Sequence, residues 1–333
     1  MVGAAAGGPS MVAERRPAAR QAQGPLVSIV LPTYNGQRHL AESIASCLGQ
    51  TYPNLELLVV DDGSSVDIRG IVEAAGDARV RYLSHPQNKG LSTALNTGFA
   101  ASRGNYLTWT SDDNRYHPTA IERMVEYLEA HPEIGLVYAG CRLIDEKGLP
   151  GDLLPAPSPE RLWEMNCVRA CFLYRRHVHE RVGAYDPEVP LVEDYDYWVR
   201  TARLFRLGRV DEILYDFRVH PASLTGTQSL EPKRLTHLRV LAKLRESGAG
   251  APISRSLWRQ ARAGMHATYG RAFFLVGRTR LARRDLLAAI LLQPSNVRCW
   301  TIVGPLLKSL LGDRLLRAVR DSRWCRNPRP SST

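Results

Sequence analysis

The sequence predicts an α/β fold with a mostly parallel central sheet, followed by an all-helical extension. Three observations predict it. Short apolar runs alternate with amphipathic stretches from residue 26 to about 140, the pattern of strand–helix–strand units. Polar clusters follow three of those runs at once: Thr33–Gly36, Asp61–Ser64 and Ser111–Asn114. Beyond residue 231 no strand pattern recurs. The chain therefore divides into a disordered segment 1–25, an α/β domain 26–230 and a basic helical extension 231–333.

The elements follow in order. Val27–Leu31 is an apolar run closed by Pro32, a buried strand. Arg38–Gly49 carries Leu40, Ile44, Cys47 and Leu48 at helical spacing. Leu55–Val60 is a second strand. Val66–Ala75 reads as helix, Val80–Leu83 as strand, Leu91–Ala101 as helix and Tyr106–Trp109 as strand. Pro118–Ala130 is helical and Gly135–Tyr138 extended. Pro150–Pro159 holds four prolines and reads as a loop. Ala170–Tyr174 and Val210–Phe217 are strands on either side of an amphipathic helix, Asp194–Phe205.

Charge is unevenly placed. The net charge is +11, yet residues 231–333 hold 21 Lys and Arg against five acids, a surplus of 16. Residues 1–230 are net −5. An acidic body does not offer nucleic acid a basic groove, so no nucleic-acid partner is expected. Within Trp300–Arg320, Val303, Leu306, Leu307, Leu310, Leu311, Leu315, Leu316 and Val319 recur at three and four residues among Lys308, Arg314, Arg317 and Arg320. Such a helix suits either the surface of an anionic membrane or packing on the α/β domain. The N-terminal stretch has no apolar core of a secretory signal, and no run of eighteen apolar residues occurs. A cytoplasmic protein, peripheral at most on the cytoplasmic face of a membrane, is expected. The six cysteines form no CxxC pair and read as reduced thiols.

Ligands of parallel sheets bind beyond the carboxyl ends of the strands, where the polar clusters fall. Two adjacent carboxylates, Asp112–Asp113, are costly to hold together unless a cation shares them. Mg²⁺ or Mn²⁺ prefers such oxygen ligands together with substrate phosphates; a solvated turn is the alternative. Asp62 could accept from uracil, thymine or guanine, or serve an Asp-Gly turn. Lys89 could lie near a phosphate or ribose, or belong to a helix-entry turn. Asp194 opens a helix, either as a cap or as a general base. Asp196 and Arg200 are spaced to pair, and Trp198 reads as core. His220 could complete a mixed oxygen/nitrogen metal shell.

Six segments occur in one order: VSIVLPTYNG (27–36), ELLVVDDGS (56–64), NKGLSTALN (88–96), YLTWTSDDN (106–114), EDYDYWVR (193–200) and RVHPAS (218–223). Together they resemble glycosyltransferase family 2, inverting enzymes of the GT-A fold, in the subset with a Ser/Thr-Asp-Asp-Asn metal motif. The resemblance implies transfer of a sugar from a nucleotide-diphospho-sugar (UDP-, dTDP- or GDP-linked) to a hydroxyl acceptor such as a lipid-linked glycan. Cell-surface polysaccharide or glycolipid synthesis is the implied setting. Pro32, Thr33, Tyr34 and Asn35 would line the nucleotide pocket, Asp62 would bind the base and Lys89 would lie near the nucleotide. Asp112 would face the ribose or metal, Asp113 would bind Mn²⁺ or Mg²⁺, and Asp194 would be the catalytic base. Arg218 and His220 would close over the diphosphate, His220 as a metal ligand. The Gln-x-x-Arg-Trp motif of processive synthases is missing, which favours transfer of one or a few sugars. A nucleotidyltransferase and a non-catalytic nucleotide-sugar-binding module are the rival readings. The first lacks its Gly- and Arg/Lys-rich loop after strand one, and intact Asp113 and Asp194 speak against the second.

Overall fold

In the computed structural model, residues 24–220, 223, 230–246, 253–294 and 304 are described. The expectations for residues 1–23 and, Gly304 aside, for Trp300–Arg320 lie outside them. One nine-stranded sheet runs through the α/β part in the order β3-β2-β1-β4-β8-β6-β9-β5, with β7 paired to β6. Its first four strands are β1 (Val27–Thr33), β2 (Leu55–Asp61), β3 (Val80–Ser84) and β4 (Tyr106–Trp109). All their mutual pairings are parallel. Every residue of β1 and β2 is buried, which is why these strands read as unbroken apolar runs.

Helices α1 (Leu40–Leu48), α2 (Ile68–Ala74) and α3 (Leu91–Ala101) make the crossovers. The order 3-2-1-4 reverses direction between β1 and β4 and opens a crevice at their carboxyl ends. Helix α4 (Ala120–Ala130) buries Ile121, Met124, Val125 and Leu128, a stripe at helical spacing. The second half of the sheet mixes directions: β8 (Phe172–Arg175) is antiparallel to both β4 and β6 (Ile134–Ile144), and β6 is parallel to β9 (Arg206–Arg218).

Several boundaries differ from the sequence reading. Pro32 does not end β1. Val30 O accepts from Thr110 N and Thr33 O from Asp62 N, so alternation turns Pro32 towards the β4 side, beyond the last paired residue, Val30. No ladder donor is lost there. The segment 150–159 is not all loop: β7 (Pro150–Leu154) pairs with β6, and a 3₁₀ turn opens at Pro159 and runs to Trp163. Proline fits the first positions of both, where no partner needs its N–H. The two-residue β5 (Arg115–Tyr116) and α5 (Arg176–Val182) are too short and too polar to announce themselves. Helix α6 (Glu193–Ala202) stands where the amphipathic pattern placed it.

The described extension is helical: α7 (Leu230–Glu246), α8 (Arg255–Leu275) and α9 (Thr279–Leu292). The boundary at 230 marks a change of element type, and the hydrophobic core crosses it. Val240, Leu241, Leu244, Ala261, Met265 and Phe273 share one buried cluster with Phe172, Tyr195 and Trp198. Gly264 lets α8 meet the backbone at Glu164, where an added Cβ would come within 2.5 Å. On α7, Lys243 Nζ pairs at 3.0 Å with both Asp186 and Glu188, in the approach to α6.

Candidate active site

One end of the candidate site lies where the sheet order reverses. Thr33 Oγ1, at the end of β1, donates to Asp112 Oδ2 at 2.5 Å, just past β4. A Cβ on Gly36 would sit 1.7 Å from that oxygen, so only glycine admits the contact. Burial pushes Asp112 up to about 6; the Thr33 hydrogen bond opposes this and the neighbouring Asp113 charge adds to it. Asp113 Oδ2 meets His220 Nε2 at 3.0 Å, while Asp113 Oδ1 is buried with no hydrogen-bond partner. A buried, unmet carboxylate oxygen beside an imidazole is costly in a bare protein and suits a hard cation. Among the described residues no group of three or more His, Cys, Asp or Glu converges. Two side chains with phosphate and water completing the shell is an ordinary arrangement for Mg²⁺ or Mn²⁺, so the residues fit the ion.

Arg218 is buried against this loop. Its side chain is 1% exposed; Nε donates to Asp113 O at 2.7 Å, Nη1 to the carbonyls of Asp145 and Glu146, and Nη2 to Glu42 Oε2 at 2.6 Å. Asn114 Oδ1 accepts from Arg218 N at 2.7 Å. These bonds fix the main chain of the Asp113 loop, so the structure gives Arg218 a bracing place. Ser43 on α1 donates to Ser111 O and braces the loop from the other side.

The residues expected from the sequence to line a nucleotide pocket are largely committed to one another. Asp62 is 3% exposed. Its Oδ1 accepts from Lys89 N at 2.9 Å and meets His85 Nδ1 at 2.7 Å, and its Oδ2 accepts from Gly90 N at 2.8 Å. One acceptor position on Oδ2 is left for a base. Gly63 takes φ +75° and presses against the backbone of Gln87, which binds the two loops. Asn35, at φ +56°, accepts from Ser65 N and donates its own N–H to Ser64 Oγ. It joins the loops after β1 and β2. Pro32 is buried in β1, whereas Tyr34 (52% exposed) and the Lys89 side chain face solvent.

The other end of the candidate site is α6. Asp194 Oδ2 accepts from Asn166 Nδ2 at 2.7 Å and Oδ1 from Tyr195 N at 2.6 Å. Burial raises the Asp194 carboxyl, and the Lys233 charge on α7 works against that rise. Burial and the adjacent Asp194 push Glu193 up to about 7. The Asp194 charge reaches Tyr185, whose OH accepts from Trp109 Nε1 at the last residue of β4. The two ends thus flank the same strand terminus. Asp196 pairs with Arg200 at 2.8 Å, and Trp198 is fully buried. A concavity of about 420 Å³ bounded by Asn105, Glu129 and Arg175 lies at the opposite edge of the strands and holds none of these residues.

His85, Glu42 and Asn166 escaped the sequence reading. Each lies far along the chain from the carboxylate or guanidinium it serves, and nothing in its local spacing points there. His39, whose Nε2 is buried without a partner, stands 5.8 Å ring to ring from His220. Burial first, then the Arg218 charge, lowers its pKa.

Comparison with known proteins agrees with this fold. The family model for glycosyl transferase family 2 matches residues 28–183. An uncharacterized glycosyltransferase of Rickettsia prowazekii is 32% identical over 217 residues, covering 61% of this chain and 67% of its own length. A Rickettsia felis glycosyltransferase is 33% identical over 210 residues, 59% of this chain, but the match spans about a third of that protein (34%). The chondroitin synthase of Escherichia coli is 27% identical over 65% of this chain and 32% of its own. Among solved structures, S. aureus TarS 1-349 in complex with UDP-GlcNAc superposes with a TM-score of 0.62 at 15% identity, covering 90% of this chain and 93% of that one. The mannosyltransferase PcManGT of Pyrobaculum calidifontis, in complex with GDP-Man and Mn²⁺, gives 0.59 at 20% identity over 86% and 87%. These neighbours share the GT-A fold seen here. With strands, crevice and relatives in agreement, the chain belongs to glycosyltransferase family 2.

Proposed function

We propose that this protein is an inverting, divalent-metal-dependent enzyme that moves a sugar from a nucleotide-diphospho-sugar to a hydroxyl acceptor. The observation that carries the reading is the buried, unpartnered Asp113 Oδ1 beside His220, at the point where the sheet order reverses. Asp113 and His220 would hold Mn²⁺ or Mg²⁺, which would supply charge to offset that of the leaving diphosphate. Asp112 faces the ribose or the ion. Pro32, Thr33, Tyr34 and Asn35 line the nucleotide pocket, Asp62 offers its remaining lone pair to the base, and Lys89 lies near the nucleotide. Arg218 acts through the Asp113 loop that it braces. Asp194 takes the acceptor's proton as that oxygen attacks the anomeric carbon from the face opposite the diphosphate. One displacement inverts the centre and needs no covalent intermediate. Asn166 and Tyr195 N hold the carboxylate in place.

The neighbours bound to UDP-GlcNAc and GDP-Man support a nucleotide-sugar donor, and the chondroitin synthase supports a growing glycan as acceptor. We place the reaction in cell-surface polysaccharide or glycolipid synthesis, at the cytoplasmic face of the membrane. Among the described residues no helix is long and apolar enough to cross a membrane. The surplus of 16 positive charges in residues 231–333 supports contact with anionic lipid, as on a lipid-linked acceptor. A thermal-shift screen of UDP-, dTDP- and GDP-sugars with and without Mn²⁺ tests the function. A cognate donor at a hundred times its Kd should stabilise the fold by about 2.7 kcal/mol only when Mn²⁺ is present. No Mn²⁺-dependent shift with any millimolar donor would overturn the reading.

A further inference from the structure

The Asp62 carboxylate is nearly full. Only 5% of its side chain is exposed. Oδ1 accepts from Lys89 N at 2.9 Å and meets His85 Nδ1 at 2.7 Å, while Oδ2 accepts from Gly90 N at 2.8 Å. An ionised carboxylate only accepts, so the proton of the imidazole contact sits on Nδ1. The other ring nitrogen, His85 Nε2, meets Thr97 Oγ1 of α3 at 2.9 Å, which fixes the ring from its far side. The main chain holds the same geometry. His85 N donates to Asp61 O and Asp62 N to Thr33 O, each at 2.9 Å. A Cβ on Gly63 would fall 2.4 Å from the Gln87 carbonyl carbon, so the loops after β2 and β3 meet with no slack. A carboxylate has about four acceptor positions. Three are spent inside the protein, and the one left is on Oδ2.

We infer that the donor nucleotide carries uracil or thymine, and that His85 sets this choice by filling the Asp62 oxygen that guanine would need. The inference deepens the proposed function and rests on the base lying at Asp62. Uracil and thymine present one ring N–H, at N3, between two carbonyls. One donor matches the one open position on Oδ2. Guanine presents two donors side by side, N1–H and the N2 amine, which together span both oxygens of a carboxylate. Lys89 N and His85 Nδ1 leave Oδ1 no position for the second donor. A site that buries a polar group without its partner rejects the ligand that brings it. Cytosine and adenine set a ring nitrogen beside their amine, and its lone pair would face the carboxylate. His85 is therefore a specificity-determining residue: it acts on the base through the acceptor it takes away.

The test is competition calorimetry on the full chain with Mn²⁺, ranking UDP, dTDP, GDP and inosine diphosphate. UDP or dTDP should bind about 10-fold or more tighter than GDP. Inosine diphosphate is GDP without the amine, so it should bind as well as GDP or better. GDP tighter than both pyrimidine nucleotides, or about 10-fold tighter than inosine diphosphate, would overturn the inference. His85→Leu frees the second position on Oδ1 and should narrow the preference for UDP or dTDP over GDP by about 5-fold. An unchanged ratio counts against His85 as the determinant, and if the variant does not fold the nucleotide ranking decides. N3-methyl-UDP, which has lost its only ring N–H, separates this inference from the reading beneath it. Binding equal to that of UDP would mean that Asp62 does not meet the base, and both would fall. Weak binding of N3-methyl-UDP alongside a preference for GDP would leave the base at Asp62 and refute only the acceptor count.

Discussion

The two ends of the cleft solve opposite electrostatic problems. At the donor end Asp113 keeps a buried oxygen unmet, and the loop that carries it is braced from behind by Arg218, Asn114 and Ser43. At the α6 end Asp194 has both oxygens hydrogen-bonded, and the Lys233 charge works against the rise that burial causes. On the proposed function, the first end receives a charge from outside. The second is met from within the chain. On the proposed function, a cation recruited with the phosphates would suit a charged donor, whereas an acceptor hydroxyl would arrive neutral and leave only a proton to manage.

Variants can break that contrast, beginning with the largest effect. Asp194→Asn should retain donor binding and lose about 10²–10⁴-fold in turnover, as removal of a general base does; transfer within threefold of wild type would dismiss Asp194 as base. Next is the buried ion pair that locks the extension. Burial alone would raise Asp285, but hydrogen bonds from His266 at 2.6 Å and from Arg234 hold its pKa below the usual range. Asp285→Asn strands the buried Arg234 guanidinium and should cost about 3–5 kcal/mol in urea unfolding. A loss under about 1 kcal/mol would show that α7–α9 are held by packing alone.

Glu193→Gln has a signed pH dependence. The folded pKa of Glu193, about 7, lies above its ordinary 4.5, so the folded state binds the proton more tightly than the unfolded chain. Wild type therefore loses stability as pH rises from about 4.5 through 7, by up to about 3 kcal/mol, and the neutral glutamine does not. The variant should melt higher than wild type at pH 8 and no higher at pH 4; the reverse ordering would refute burial as the dominant cause. Smallest is the donor end. Asp113→Ala should remove the Mn²⁺-dependent part of nucleotide-sugar affinity, about 10–100-fold by calorimetry. Equal affinities with and without Mn²⁺ in wild type would make that end a plain polar pocket.

The ends also differ in how far they can be read without a structure. Strand-end motifs carry the donor end: Thr33, Asp112 and Asp113 each lie just beside an apolar run, and the sheet order brings them together. Their roles are less legible than their places, since Asp62, Asn35 and Arg218 spend most of their hydrogen bonds on the protein itself. At the acceptor end Asp194 and the Asp196–Arg200 pair are visible as a helix pattern, while Asn166 and Lys233 are not, because loop and helix positions far along the chain show no periodicity relative to α6. The positive charge of the extension is plain in the sequence, but its use is not: Arg234 and Lys243 turn inward to buried or acidic partners.

By itself the sequence determined the alternation of strands and helices, the three polar loops at one sheet edge and the family pattern, because hydrophobic period and strand-end chemistry are local properties. Only the tertiary structure decided which oxygen of Asp113 is left unmet, which way Arg218 faces and that the extension shares the core of the α/β part. Those outcomes depend on burial and on hydrogen-bond partners tens to hundreds of residues away, and no local pattern encodes such partners.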